Sequence, residues 1–216
     1  MITKKYQDII AKILLDIECV RFSFEKPFIL TSGKKSPVYV DCRKIISFVK
    51  ERNIILDYAK QYFELNKLDF EILAGGETAG IPYAAFLSEQ MQKKMIYIRK
   101  KPKGFGKNNQ IEGDYKKGQK TILIEDLATD GGSKVIFINA LREANLIVKD
   151  IFVIFYYDIF NLSETQLGKL NVKIHSLCTW KNIFNILLLE QNISEEKIEN
   201  LKIFLNKPEK WRKQYG

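Results

Sequence analysis

The sequence is poor in the residues that build metal sites and disulfide scaffolds. Only one of its 216 residues is a histidine, His175, which excludes His-rich zinc chemistry. That histidine stands among roughly alternating apolar residues at 172–178 and reads as an ordinary strand residue. Three cysteines, Cys19, Cys42 and Cys178, lie far apart with no CxxC pair. Such an odd, scattered set is neither a disulfide framework nor a zinc ribbon, and it fits a reducing, cytoplasmic setting. The longest clean apolar run, 151–157, is seven residues and is closed by Asp158. A membrane span needs roughly 20, so no membrane partner is expected. Lys4 and Lys5 are followed by Asp8, Asp16 and Glu18, which interrupt any secretory signal. Twelve Gly and five Pro are too few for a disordered or collagen-like chain.

What is present is core-forming. Hydrophobic residues make up 46% and charged residues 28%, enough for one well-packed core or two small ones. Lys and Arg number 35 against 26 Asp and Glu, a formal charge of +9. A basic surplus suits nucleic acid, anionic membrane or phosphorylated small molecules. Here it is local: between Lys93 and Lys120 ten Lys or Arg face two acids, while the rest is close to balance. That points to one anionic site. Neither a helix-turn-helix before residue 20 nor interleaved aromatic–basic repeats occur, so nucleic acid is not the expected partner.

Helical spacing of Tyr6, Ile9, Ile10, Ile13, Leu14 and Ile17 predicts a helix over 4–18. Strand-like segments follow at 22–24, 28–30 and 38–40, then a helix over 49–65. Beyond these the pattern predicts strands at 70–74, 95–99, 120–125, 151–157 and 172–178. Between them come a Gly-rich turn at 75–80 and helices over 81–92 and 131–145, and two further helices, 180–190 and 194–206, close the chain. Asn192 with Glu195 resembles a capping box for the last of these. Short, continuously apolar strands alternating with helices imply an α/β fold: a parallel sheet flanked by helices. We read one domain over 1–216, with a mixed N-terminal region at about 1–45 and the core and C-terminal helices over 46–216.

The sharpest feature is Thr121-Ile122-Leu123-Ile124-Glu125-Asp126-Leu127-Ala128-Thr129-Asp130-Gly131-Gly132-Ser133. An apolar strand carries two acids at its carboxyl edge and then a small-residue turn opens a helix. In open α/β sheets ligands bind at the carboxyl ends of strands. Backbone N–H groups of such a turn, with a helix N-terminus, cradle phosphate. Thr129 and Ser133 add hydroxyls, and Glu125 and Asp126 suit ribose hydroxyls or a nearby Mg²⁺. No Walker loop exists in the chain. The stretch 100–118 lacks periodicity for 19 residues, the length of a functional lid, and its lysines suit a polyanion.

This motif resembles the phosphoribosyl-pyrophosphate (PRPP) motif of type I phosphoribosyltransferases. Three others narrow the resemblance to the orotate phosphoribosyltransferase family. Phe28-Ile29-Leu30-Thr31-Ser32-Gly33 with Ser36-Pro37-Val38-Tyr39-Val40-Asp41-Cys42-Arg43 is similar to its N-terminal signature. Ala74-Gly75-Gly76-Glu77-Thr78-Ala79-Gly80-Ile81-Pro82 is similar to its second turn, and Arg99-Lys100-Lys101-Pro102-Lys103-Gly104-Phe105-Gly106 to its mobile loop.

The resemblance implies a type I phosphoribosyltransferase fold with an N-terminal hood. It also implies transfer of the phosphoribosyl group from PRPP to orotate, giving orotidine 5′-monophosphate and pyrophosphate in pyrimidine (UMP) synthesis. By the same resemblance PRPP contacts fall on Arg99, Lys100, Lys103, Glu125, Asp126, Leu127, Ala128, Thr129, Asp130, Gly131, Gly132 and Ser133. Orotate contacts fall on Thr129, Tyr39 and Val40, and the catalytic roles on Lys103 and Asp126. Mg²⁺ would be held mainly by PRPP, with no direct protein ligand, in a homodimer whose loop lysine acts across the interface. The sequence departs from the family where Thr31, Ala79 and Phe105 stand in place of Lys, Lys and His, and where Tyr157-Asp158 replaces an arginine region. A phosphoribosyltransferase for another base, or a PRPP-sensing regulator without activity, are the competing readings.

Overall fold

The computed structural model describes residues 2–30, 33–102, 110–129, 132–159, 162–191 and 193–215. The chain opens with α1 (Ile2–Asp16), which buries Tyr6, Ile10, Ala11 and Leu14 along one face. Four short strands follow: β1 (Val20–Phe22), β2 (Phe28–Ile29), β3 (Lys35–Ser36) and β4 (Val38–Val40). They pair as two antiparallel ladders, β1 with β4 and β2 with β3. The sequence marks β2 and β4, while β1 ends at Phe22, where the expected 22–24 segment begins; the two-residue β3 has no alternation to reveal it.

Next come α2 (Val49–Leu65), β5 (Ile72–Gly76), α3 (Gly80–Met91), β6 (Lys94–Ile98), β7 (Ile111–Glu112) and β8 (Lys120–Ala128). Then α4 (Gly132–Glu143), β9 (Ile147–Tyr156), β10 (Lys173–Thr179), α5 (Trp180–Leu189), α6 (Glu195–Asn206) and α7 (Pro208–Tyr215) complete the chain. Contacts divide it into two compact units, Met1–Glu51 with Cys178–Gly216, and Arg52–Leu177.

The central sheet has the order β10-β9-β8-β5-β6-β7. β6, β5, β8 and β9 are mutually parallel, and β7 returns antiparallel to β6. Every residue of β5 is buried, as are residues 121–126 of β8 and 151–156 of β9. This is the burial that continuously apolar strands require when both faces are covered. The α/β expectation therefore holds.

Some boundaries differ. Gly75 and Gly76 belong to β5, not to the turn after it. β7 breaks the 100–118 stretch, because two residues suffice to pair Tyr97 with Glu112 and Ile98 with Ile111. The cap of α6 is Ser194, whose hydroxyl accepts from Lys197 N at 3.4 Å; Asn192 lies outside the described residues. Helix α7 escaped the periodicity because it has one fully buried anchor, Trp211, packed edge-on to Phe204 at 5.2 Å.

His175 is 1% exposed in β10. Its Nε2 meets Asp150 Oδ1 at 2.8 Å and its Nδ1 meets the Tyr62 hydroxyl at 3.0 Å. With a carboxylate on one side, Nε2 is the donor and Nδ1 accepts from Tyr62. Both nitrogens are occupied in the core, which is the strand role that the sequence implies.

Candidate active site

Because β5, β6 and β8 are adjacent and parallel, their carboxyl ends at Gly76, Ile98 and Ala128 fall on one edge. Glu77 N donates to Ile98 O at 2.9 Å, extending the β5–β6 ladder by one bond. The Glu77 carboxylate then accepts from Lys100 N at 2.7 Å. Gln110 faces the same strand end: its side-chain amide donates to Arg99 O at 2.7 Å, while Arg99 N donates to Gln110 O at 2.8 Å. Both ends of the basic segment are thus tied to the sheet edge. Lys103, Phe105 and the rest of 103–109 lie outside the described residues.

The β8–α4 connection differs from the expectation in one respect. β8 runs to Ala128, so Glu125 and Asp126 lie within the strand, 6% and 9% exposed, not at an exposed end. The ladder to β9 carries the strand on, pairing Glu125 with Val153 and Ala128 with Tyr156. The exposed part of the motif is Thr129, Gly132 and Ser133 at the start of α4. These are the positions from which hydroxyls and helix N–H groups can meet a phosphate. Asp130 and Gly131 lie outside the described residues.

Glu125 Oε2 pairs with Lys134 Nζ at 3.0 Å, and both side chains are 7% exposed. Its other oxygen, Oε1, is buried without a hydrogen-bond partner among the described residues, a cost of ~1–3 kcal/mol for such a group. Burial pushes the Glu125 carboxyl up to about 7, against the opposing pull of Lys134 and Lys100. Lys134 was not marked by the sequence. A lysine in the first turn of a helix reads as a solvated charge, and only the proximity of β8 reveals its partner.

The basic surplus does not all converge here. Lys94 and Lys120 begin their strands at the opposite edge and pair with Asp114 and Asp69. Lys93 donates to Phe70 O at 2.8 Å. Arg99 is at the site edge, but its guanidinium is held by Glu112 at 3.0 Å. Lys100 and Lys101 are exposed beside it.

Tyr39 and Val40 lie in β4, in the other unit. Val40 is 8% exposed, so its side chain is core and only its backbone is left for a ligand. The Tyr39 ring lies tilted against Phe28, 5.8 Å between centroids, with the Arg21 guanidinium 5.1 Å from the Tyr39 centroid. Of the departures from the family pattern, Thr31 lies outside the described residues. Ala79 precedes α3 with ordinary helical dihedrals, and Asp158 adopts a positive φ of 51°.

No cluster of three or more His, Cys, Asp or Glu able to hold a metal occurs among the described residues. A Mg²⁺ carried by substrate phosphates needs at most one or two carboxylates, and the ion pair to Lys134 commits Glu125 elsewhere. All three cysteines are buried and none is in a disulfide among the described residues. Burial pushes the Cys19 thiol up to about 12, far from a reactive thiolate. No helix among the described residues is long and apolar enough to cross a membrane.

No family model matches the chain. A curated protein of Rhizobium rhizogenes named orotate phosphoribosyltransferase is 42% identical over 211 residues, covering 97% of this chain and 91% of its own length. The structure of UMP synthase from Leishmania donovani superposes with a TM-score of 0.73 at 31% identity, over 94% of this chain and 42% of that one. That of orotate phosphoribosyltransferase from Aeropyrum pernix superposes with a TM-score of 0.71 at 28% identity, over 86% and 99%.

Proposed function

The chain belongs to the orotate phosphoribosyltransferase family, and from that premise we propose how its residues carry the reaction. The enzyme transfers the 5-phosphoribosyl group from PRPP to orotate, giving orotidine 5′-monophosphate and pyrophosphate on the route to UMP. The observation that carries the proposal is the common edge at which β5, β6 and β8 end, where the β5–α3 turn, a basic segment and a helix N-terminus meet.

PRPP is bound by Arg99, Lys100, Lys103 and residues 126–133, behind which Glu125 is held by Lys134, with Thr129, Gly132 and Ser133 offering hydroxyl and N–H donors. Asp126 serves the ribose, and Thr129, Tyr39 and Val40 serve orotate. Orotate N1 arrives as an anion and displaces pyrophosphate at the anomeric carbon through an oxocarbenium-like transition state, so no strong base is needed. Catalysis rests on positioning and on neutralising charge at the leaving group. Mg²⁺ held mainly by PRPP supplies part of that neutralisation when bound, and Lys103 supplies another. Closure of the basic segment keeps out water that would hydrolyse PRPP. The enzyme works as a cytoplasmic homodimer of single-domain chains, each Lys103 completing its partner's site.

Release of pyrophosphate from PRPP, measured with orotate, uracil, adenine and hypoxanthine in turn, tests this reading. Turnover with orotate that stops after exhaustive EDTA treatment and returns with Mg²⁺ supports it. Equal use of adenine or hypoxanthine, or turnover untouched by EDTA, overturns it.

A further inference from the structure

Among the described residues Glu125 is the most deeply placed carboxylate of the PRPP motif, and its surroundings are those of a structural joint. One oxygen meets Lys134 Nζ at 3.0 Å in a pair that is 7% exposed on both sides. The other is seated against the β5–α3 turn. A Cβ built on Gly76 would lie 2.2 Å from Oε1, and one on Gly80 would lie 2.8 Å from it. Both positions are glycines where the carboxylate takes up the space of a side chain. The Phe137 ring of α4 closes the same pocket, 2.7 Å from the hypothetical Gly76 Cβ. Three elements, β5–α3, β8 and α4, therefore touch at one carboxylate.

Lys134 is the third residue of α4. A cation there opposes the helix dipole, and at 6% exposure it is turned away from any ligand in solvent. Glu125 cancels its charge, which leaves the N–H groups of the first turn as the field that a phosphate meets.

We propose that Glu125 and Lys134 are a positioning pair for phosphoribosyl transfer. The carboxylate, gripped by Lys134 and seated on Gly76 and Gly80, sets the spacing between the β5–α3 turn and the first turn of α4. Contact with PRPP falls to its neighbours Asp126 and Thr129. The proposal rests on the reading of this edge as the PRPP site. The charged groups facing Glu125 are Lys134 from α4, Lys100 from beyond β6 and Asp126 from its own strand. Its ionised form is held by the two lysines against burial, so the joint is sensitive to anything that neutralises it.

Three variants test this: Glu125→Gln, Lys134→Met and the double variant. A single change leaves one buried charge unpaired and can cost the fold. The double variant removes both charges at similar volume and keeps the protein folded. Thermal unfolding is followed in each. Two readouts are then compared with wild type: kcat/KM for PRPP across pH 5.5–9, and calorimetric affinity for inorganic pyrophosphate, which has no ribose.

A positioning pair predicts a fall of about 10-fold or more in kcat/KM for the folded double variant, no larger than for either folded single variant. It also predicts pyrophosphate binding weakened by a similar factor. The loss of wild-type activity below pH ~7 should be absent from the double variant. Wild-type kcat/KM in the double variant would show that the pair only stabilises the fold and would overturn the proposal. Unchanged pyrophosphate affinity alongside lost turnover would overturn it differently, by making Glu125 a ribose contact. If wild type itself releases no pyrophosphate from PRPP, the functional reading fails, and the pyrophosphate affinities still decide the role of the pair.

Discussion

The Glu77 carboxylate accepts a hydrogen bond from the backbone N–H of Lys100 at 2.7 Å, joining the β5–α3 turn to the second residue after β6 on the basic segment. Glu77 is half-buried, and its own N–H is committed to Ile98 O. Glu77→Ala should free Lys100 without disturbing the ladder. A bond to a charged acceptor is worth ~1.5–3 kcal/mol, less where solvent reaches it. We therefore expect kcat/KM for PRPP to fall roughly 3- to 10-fold, with the thermal midpoint almost unchanged. Steady-state kinetics that match wild type would show that the anchor plays no part in turnover.

Gly80 opens α3 where a Cβ would stand 2.2 Å from Ile124 O. That neighbour is backbone of the central strand and cannot swing aside. Gly80→Ala should cost ~1–3 kcal/mol by overpacking, a drop of roughly 2–4 °C in midpoint per kcal/mol for a chain of this size. An unchanged melting curve by circular dichroism would mean that α3 shifts freely against β8.

The raised Glu125 carboxyl gives stability a pH slope of definite sign. Unfolded, the group titrates near its ordinary 4.5; folded, near about 7. Between these values the folded chain keeps a proton that the unfolded chain has lost. Stability should therefore decline as pH rises from 4.5 to 7, by up to about 3 kcal/mol from this group, and level off above. The difference in unfolding free energy between wild type and Glu125→Gln, measured by urea titration at pH 5 and pH 7.5, isolates it. A difference that is flat in pH, or that grows in wild type's favour toward neutrality, contradicts the assignment.

The shared-site homodimer predicts complementation. Lys103→Ala and Asp126→Asn homodimers should each lose at least about 10-fold in kcat/KM. After subunit exchange, half of the sites in each heterodimer are intact and half carry both defects. Activity should rise on mixing, in step with exchange followed by mass spectrometry. A mixture that stays as inactive as its components while exchange proceeds would put Lys103 in its own chain's site. Asp126 is 9% exposed, so its variant should also be scored for thermal stability.

Much of this protein can be read along the chain. The seven-residue apolar run at 151–157 and its counterparts announce strands buried on both faces, and the structure has them in β9, β8 and β5. Helix α2 falls where Ile55, Ala59 and Phe63 repeat at helical spacing. The PRPP motif is visible because phosphate cradles need glycine, hydroxyls and a helix start in immediate succession, which is a local property.

What the chain order cannot express is partnership. Lys134 and Glu125 are nine residues apart with a turn between, and only the return of α4 against β8 brings them to 3.0 Å. Lys94 and Lys120 counted toward one basic site, yet strand direction sends them to the far edge, beside Asp114 and Asp69. β7 exists because Ile111 and Glu112 meet Ile98 and Tyr97, not because two residues favour a strand. Composition and periodicity determined which segments are strands, helices and cradle. Parallel packing and register decided which charges face the ligand edge and which neutralise one another in the core, since both depend on which strands become neighbours.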